Sequence, residues 1–132
     1  MTSREEAKYL LKKPKEFLET AKFQINRSFY GLAAFSLEQA LQLHLKSKLL
    51  TLGVDYPRTH SVRALLEMLR DLTSEEERMA INDLLDKYLM ELGTLEDAYI
   101  TSRYVMREFR REEVERLREV VEDVMRKCHI EF

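Results

Sequence analysis

From Leu32 to Leu52 apolar residues recur on almost every side of a helix: Leu32, Ala33, Ala34, Phe35, Leu37, Ala40, Leu41, Leu43, Leu45, Leu49, Leu50 and Leu52 leave no wide polar stripe. A helix apolar nearly all round belongs at the centre of a bundle, with other helices packed about it. Gly53 follows as a C-terminal stop, and Asp55-Tyr56-Pro57 continues as loop.

The flanking segments carry narrower stripes suited to packing on such a centre. Between Arg4 and Arg27, Leu10, Phe17, Leu18, Ala21 and Ile25 share one stripe, and Pro14 predicts a kink or break near Lys12 to Lys13. Gly31 is expected to mark a tight turn. Thr59 or Ser61 can cap a short helix that buries Val62, Leu65, Leu66, Leu69 and Leu72. Thr73-Ser74-Glu75-Glu76-Glu77 starts a helix through Ile81, Leu84, Leu85, Tyr88 and Leu92, with a bend or restart at Gly93 and an end near Ser102. Val114, Leu117, Val121, Val124 and Cys128 form the core stripe of a last helix, Arg111 to Cys128, whose other faces pair Glu112 with Arg116 and Glu122 with Arg126. The reading is all-α: an up-and-down bundle of four main helices plus a short fifth helix.

Composition agrees. Three Gly and two Pro are too few for the turns of a many-stranded β protein, and 132 residues suit one domain spanning residues 1–132. A net charge of −2 gives no global pull toward nucleic acid or an anionic membrane, so any such binding is local. Residues 1–66 hold 11 basic and 6 acidic side chains, and residues 67–132 hold 11 and 18, so the halves differ in sign at +5 and −7. The simplest outcome is that they neutralise one another. One cysteine, Cys128, excludes an internal disulfide, and His44, His60 and His129 are too scattered for a histidine-rich metal motif. No metal and no cofactor is expected. With no signal-like N-terminus and no apolar run near about 18 residues, the expectation is a cytoplasmic protein without a membrane partner.

Three stretches, in order, resemble one family. Phe29-Tyr30-Gly31-Leu32-Ala33-Ala34-Phe35 leads to Gln39-Ala40-Leu41-Gln42-Leu43-His44-Leu45-Lys46, similar to the first half of HEPN domains, where Gln42 stands in place of a Glu. Thr59-His60-Ser61-Val62 resembles the family's Thr-His helix entry. Tyr99-Ile100-Thr101-Ser102-Arg103-Tyr104-Val105 resembles its Tyr-Ile-x-x-Arg-Tyr-Pro signature, with Val105 replacing Pro. The resemblance implies a helical bundle, often a homodimer, that binds nucleotide or RNA and is frequently the partner of a minimal nucleotidyltransferase in a toxin–antitoxin pair. Ribonuclease members carry Arg, four to six residues, then His. Here Glu108, Phe109 and Arg110 occupy those places after Arg103, and none of the three histidines follows an Arg at that spacing. The resemblance therefore implies no autonomous nuclease activity and no catalytic residue.

The residues themselves support a binding site better than a catalytic one. Arg103 between Tyr99 and Tyr104 offers a guanidinium for phosphate and two rings for stacking on a base; Lys46, His60 and Arg107 complete the candidate nucleotide- or phosphate-binding set. The bland alternative has Arg103 paired with a carboxylate and the tyrosines packed between helices. His44 reads as a hydrogen-bonded interior histidine, and His60 as a neutral residue packing or capping a helix start. Metal-independent RNA cleavage needs a base for the 2′-hydroxyl and a cation for the phosphorane; His60 approaching Arg103 in space would make the chain a metal-independent ribonuclease toxin. A third reading is a structural dimer or adaptor.

Overall fold

A computed structural model describes residues 2–55, 57–104 and 107–131, with side chains for all of these except Ser3 and residues 101–104. The described chain is helical, without a strand: α1 (Ser3–Leu10), α2 (Lys12–Asn26), α3 (Tyr30–Thr51), α4 (Val62–Leu72), α5 (Glu75–Lys87), α6 (Leu89–Tyr104) and α7 (Arg111–Lys127). The pairs α1–α2 and α5–α6 correspond to two interrupted helices. With α3 and α7 they make the four main helices, and α4 is the short fifth.

The first interruption falls at Leu11, just before the expected place, and puts Pro14 in the first turn of α2. There its missing N–H is one that the helix would leave unpaired anyway. Ser61 caps α4 by accepting the Ala64 N–H at 3.1 Å, and Ser74 caps α5 by accepting that of Glu77 at 3.4 Å.

Two glycine expectations are corrected. Gly31 lies inside α3, and the turn before it is made by Ser28, which adopts a left-handed φ of 63°. Gly93 lies inside α6, whose break from α5 is at Tyr88. A Cβ there would meet the Arg63 guanidinium at 3.8 Å, an ordinary contact, so neither the space nor the backbone requires glycine.

Helix α3 is the axis, with α1, α2, α4, α6 and α7 all packed on it. Leu37, Leu41, Leu45 and Leu49 are fully buried, together with Val62, Leu65, Leu66 and Leu69 of α4, Leu92 and Leu95 of α6, and Val114, Val121 and Val124 of α7, in one continuous core. Leu72 departs from expectation by standing exposed at the end of α4. On α7 the expected pairs re-form elsewhere. Arg116 reaches Glu91 of α6 at 3.1 Å, Glu122 takes Arg118 at 2.9 Å, and Arg126 takes Asp123 at 2.6 Å. Both Glu91 and Asp123 are more shielded from water than the solvated partners that spacing alone suggests. Lys48 with Glu77 and Arg63 with Glu96 join the basic first half to the acidic second.

The two left-handed positions make opposite predictions. Gly53 ends α3 at φ 79°, so Gly53→Ala is expected to cost about 1–2 kcal/mol, while Ser28→Gly relieves strain and raises stability by up to about 1 kcal/mol. Urea denaturation of the two variants checks both signs.

Candidate functional site

Helices α3 and α6 run side by side, and along their seam Phe35 meets Tyr99 with ring centroids 6.1 Å apart. The His60 ring, from the loop before α4, lies flat on Tyr99 at 4.1 Å between centroids and 19° between planes. His60 is exposed and Tyr99 half-buried. Three rings from three separate elements thus form one cluster, tilted at Phe35, stacked at His60 and open to solvent there.

Glu96, three residues before Tyr99, secures the loop that carries His60. Its Oε1 accepts from the Ser61 hydroxyl at 2.7 Å and from the Arg63 backbone N–H at 3.1 Å, while the Arg63 guanidinium reaches Oε2 at 2.9 Å. Burial works to raise this carboxyl, but the bonds from Arg63 and Ser61 outweigh it and hold the group charged, below its ordinary value.

Across the seam α3 carries a polar ladder at one-turn spacing. Gln39 and Gln42 donate to the two carboxylate oxygens of Glu38 at 2.7 and 2.8 Å, and Lys46 donates to the Gln42 side-chain oxygen at 3.0 Å. Glu38 is fully buried, which pushes its carboxyl up to about 7; the Gln42 and Gln39 bonds and the Lys46 charge oppose this, and Glu96 adds to it. Burial lowers Lys46, and the Glu38 charge opposes that shift.

A concavity of about 430 Å³ lies where the α2–α3 turn faces the connection between α6 and α7, lined by Ser28, Tyr30, Gly31, Arg107, Glu108 and Phe109. The Arg107 guanidinium lies 4.0 Å from the Phe109 ring centroid and donates to Glu113 at 2.9 Å. Glu113 also accepts the Arg110 N–H at 3.0 Å, so one carboxylate holds both the start of α7 and Arg107.

Of the six candidate residues, Tyr99 and His60 come into direct contact. Lys46 lies on the neighbouring α3 ladder, and Arg107 lines the separate concavity. Arg103 falls one turn after Tyr99 in α6, and its side chain and that of Tyr104 lie outside the described residues. His44 is the interior histidine expected, donating from Nε2 to the Cys128 carbonyl at 2.8 Å. Of the two roles expected for His60, packing or capping, the structure gives packing, as a ring stacked on Tyr99. Sequence reasoning missed Phe35, Glu38, Arg63 and Glu96. For Glu38 a signal exists, because Glu38, Gln42 and Lys46 repeat every four residues. Among the described residues no group of three His, Cys, Asp or Glu side chains is arranged to hold a metal ion, and no helix is long and apolar enough to cross a membrane.

The HEPN domain model matches residues 7–131. The crystal structure of TT1696 from Thermus thermophilus shares the fold with a TM-score of 0.75, covering 92% of this chain and 94% of that one at 24% identity. None of the curated proteins matches this chain.

Glu38 makes the fold sensitive to pH. The unfolded chain gives up this proton near its ordinary 4.5, and the folded one holds it to about 7. Across that window the native state binds more protons, so this group's contribution to stability falls as pH rises from about 4.5 to about 7 and then levels. Its steepest slope approaches about 1.4 kcal/mol per pH unit. Glu38→Gln keeps the shape without the titration, and urea melts across that window should show a flatter pH dependence than the parent.

Proposed function

The chain belongs to the HEPN domain family, its match covering residues 7–131, and from that premise and the geometry above we propose that it binds a nucleotide or RNA along the α3–α6 seam. The observation that carries this reading is the His60 ring laid on Tyr99 at 4.1 Å and left open to solvent. A planar ring held rigid from behind loses little freedom when a base stacks on it, and such stacking contributes about 1–3 kcal/mol per base. Arg103 and Tyr104, following Tyr99 in α6, and Lys46 on α3 are the groups assigned to phosphate and ribose. Arg107 is assigned to a neighbouring phosphate. The same reading takes the chain as a homodimer and as the cytoplasmic partner of a minimal nucleotidyltransferase in a toxin–antitoxin pair, without nuclease activity of its own.

A second reading has one specific observation in its favour. The family's ribonuclease motif lacks its histidine here, yet His60 is seated on Tyr99, one helical turn before Arg103. A base from the α3–α4 loop and a cation from α6 are the two groups that metal-free cleavage needs. Cleavage of single-stranded RNA in the presence of a chelator, abolished by His60→Ala, would establish the nuclease; its absence leaves the binding reading.

Titration with a labelled dinucleotide tests that reading directly. His60→Ala is expected to weaken binding on the order of 10-fold with little change in melting temperature, since the ring is exposed. Arg103→Ala is expected to weaken it on the order of 10- to 100-fold, again without lowering the melt. A variant that binds normally but melts far lower would place Arg103 in an internal ion pair instead.

A further inference from the structure

At the end of the bundle where α2 turns into α3, aromatic rings and guanidinium groups alternate. The Arg27 guanidinium lies 5.9 Å from the Phe23 ring centroid and 5.7 Å from that of Phe29. Both rings are open to solvent, Phe23 at 58% and Phe29 at 45% exposure. The chain then passes through Ser28 and Tyr30 into the 430 Å³ concavity, where Arg107 covers Phe109. Arg111 lies over Tyr30 at 5.4 Å. Among the described residues the guanidinium groups of Arg27 and Arg110 meet no carboxylate.

We infer that this end of the bundle is a second platform, built for a single-stranded polynucleotide that extends beyond the unit bound at His60 and Tyr99. The inference rests on the nucleotide reading only in taking the ligand to be nucleic acid. Its own support is local. The Phe23 and Phe29 rings stand in water outside the core cluster, and with the Arg27 guanidinium beside both they offer two stacking faces with positive charge for the phosphate between them. Glu108 lines the concavity, and its charge opposes a phosphate there; with the Ser28 hydroxyl it suits the edge of a base or a ribose hydroxyl. Phosphates fall instead to Arg27 and Arg111, whose guanidinium groups lie over Phe23, Phe29 and Tyr30. A free nucleotide has no use for so extended a surface. A strand of several units does.

The test compares a labelled uridine dinucleotide with labelled oligo(U) and oligo(dU) of about 8 nucleotides, a length typical of one such binding surface. Fluorescence anisotropy at fixed, low salt should show at least one of the longer strands binding tighter than the dinucleotide. Phe23→Ala with Phe29→Ala should remove that gain, a loss on the order of 10-fold, while dinucleotide affinity stays at the parent value. Arg27→Glu should weaken the long strand and reduce the salt dependence of its binding. All three positions are exposed, and unchanged melting curves confirm that the variants fold. Long strands that bind no tighter than the dinucleotide, or a gain that survives the double substitution, overturn the inference. So does a double variant that only converts a dimer to a monomer in sedimentation, which would make this face a protein contact. If instead neither parent nor His60→Ala binds the dinucleotide but long-strand binding still depends on Phe23 and Phe29, the seam reading fails and this one stands.

Discussion

Helix α3 carries Ser36, Glu38, Gln42, His44, Lys46, Ser47 and Lys48 into the interior, and a polar atom buried without a partner costs about 1–3 kcal/mol. The rest of the architecture answers that demand. Ser36 donates to Gln24 of α2 at 2.7 Å, and Ser47 donates to the Ala7 carbonyl of α1 at 3.1 Å. One turn apart, His44 and Lys48 donate to the consecutive carbonyls of Cys128 and His129, at 2.8 and 2.7 Å, and Lys48 also meets Glu77 of α5 at 3.3 Å. Leucines alone would let neighbouring helices slide past one another at little cost; these bonds each select one register. Among the described residues the exception is His44 Nδ1, buried without a hydrogen-bond partner. Burial lowers the pKa of this imidazole, so Nδ1 is a bare lone pair, which is cheaper to strand than an N–H donor.

Seen from α3, the candidate site differs from the rest of the interior. At Ser36, Ser47, His44 and Lys48 the polar bonds leave the helix and tie down another element. At Glu38, Gln39, Gln42 and Lys46 the bonds described run along α3 itself. This strip therefore uses its polarity to hold its own charges in place beside α6, where Glu96 does the same for the loop that carries His60. The seam thus sets buried, ordered polar groups of α3 beside rings that reach solvent at His60.

Much of this is legible in the sequence because burial acts through periodicity. The apolar wrap of Leu32 to Leu52 places α3 at the centre, and the stripe from Val114 to Cys128 is buried as its spacing requires. Turns are harder. Gly31 and Gly93 look like punctuation, but the chain bends at Ser28 and Tyr88. Both glycines sit inside helices whose packing carries them through, so the residue type alone does not mark a break. Tyr99 and His60 are each recognisable from local motifs, yet their contact depends on how the α3–α4 loop docks on α6. That docking is set by Glu96, which no local pattern marks. Glu38 is hidden differently: an acidic residue in an apolar helix reads as a surface position until its four-residue spacing to Gln42 and Lys46 is noticed.

The replacement of the family's Glu by Gln42 follows from the same electrostatics. A glutamate at that position would stand one turn from the buried Glu38, and two carboxylates so placed repel one another at low dielectric. It would also pair directly with Lys46 and cancel its charge. The amide removes the repulsion and keeps the connectivity, because a single side chain offers an oxygen to Lys46 and an N–H to Glu38. Lys46 is thereby held in position by a neutral group while Glu38, its nearest compensating charge on α3, stays protonated up to about pH 7. Ionising Glu38 adds one negative charge beside Lys46, so the charge at this end of the seam drops by one as pH rises through that value. A ligand phosphate is accordingly drawn more strongly to the protonated form of Glu38 than to the ionised one.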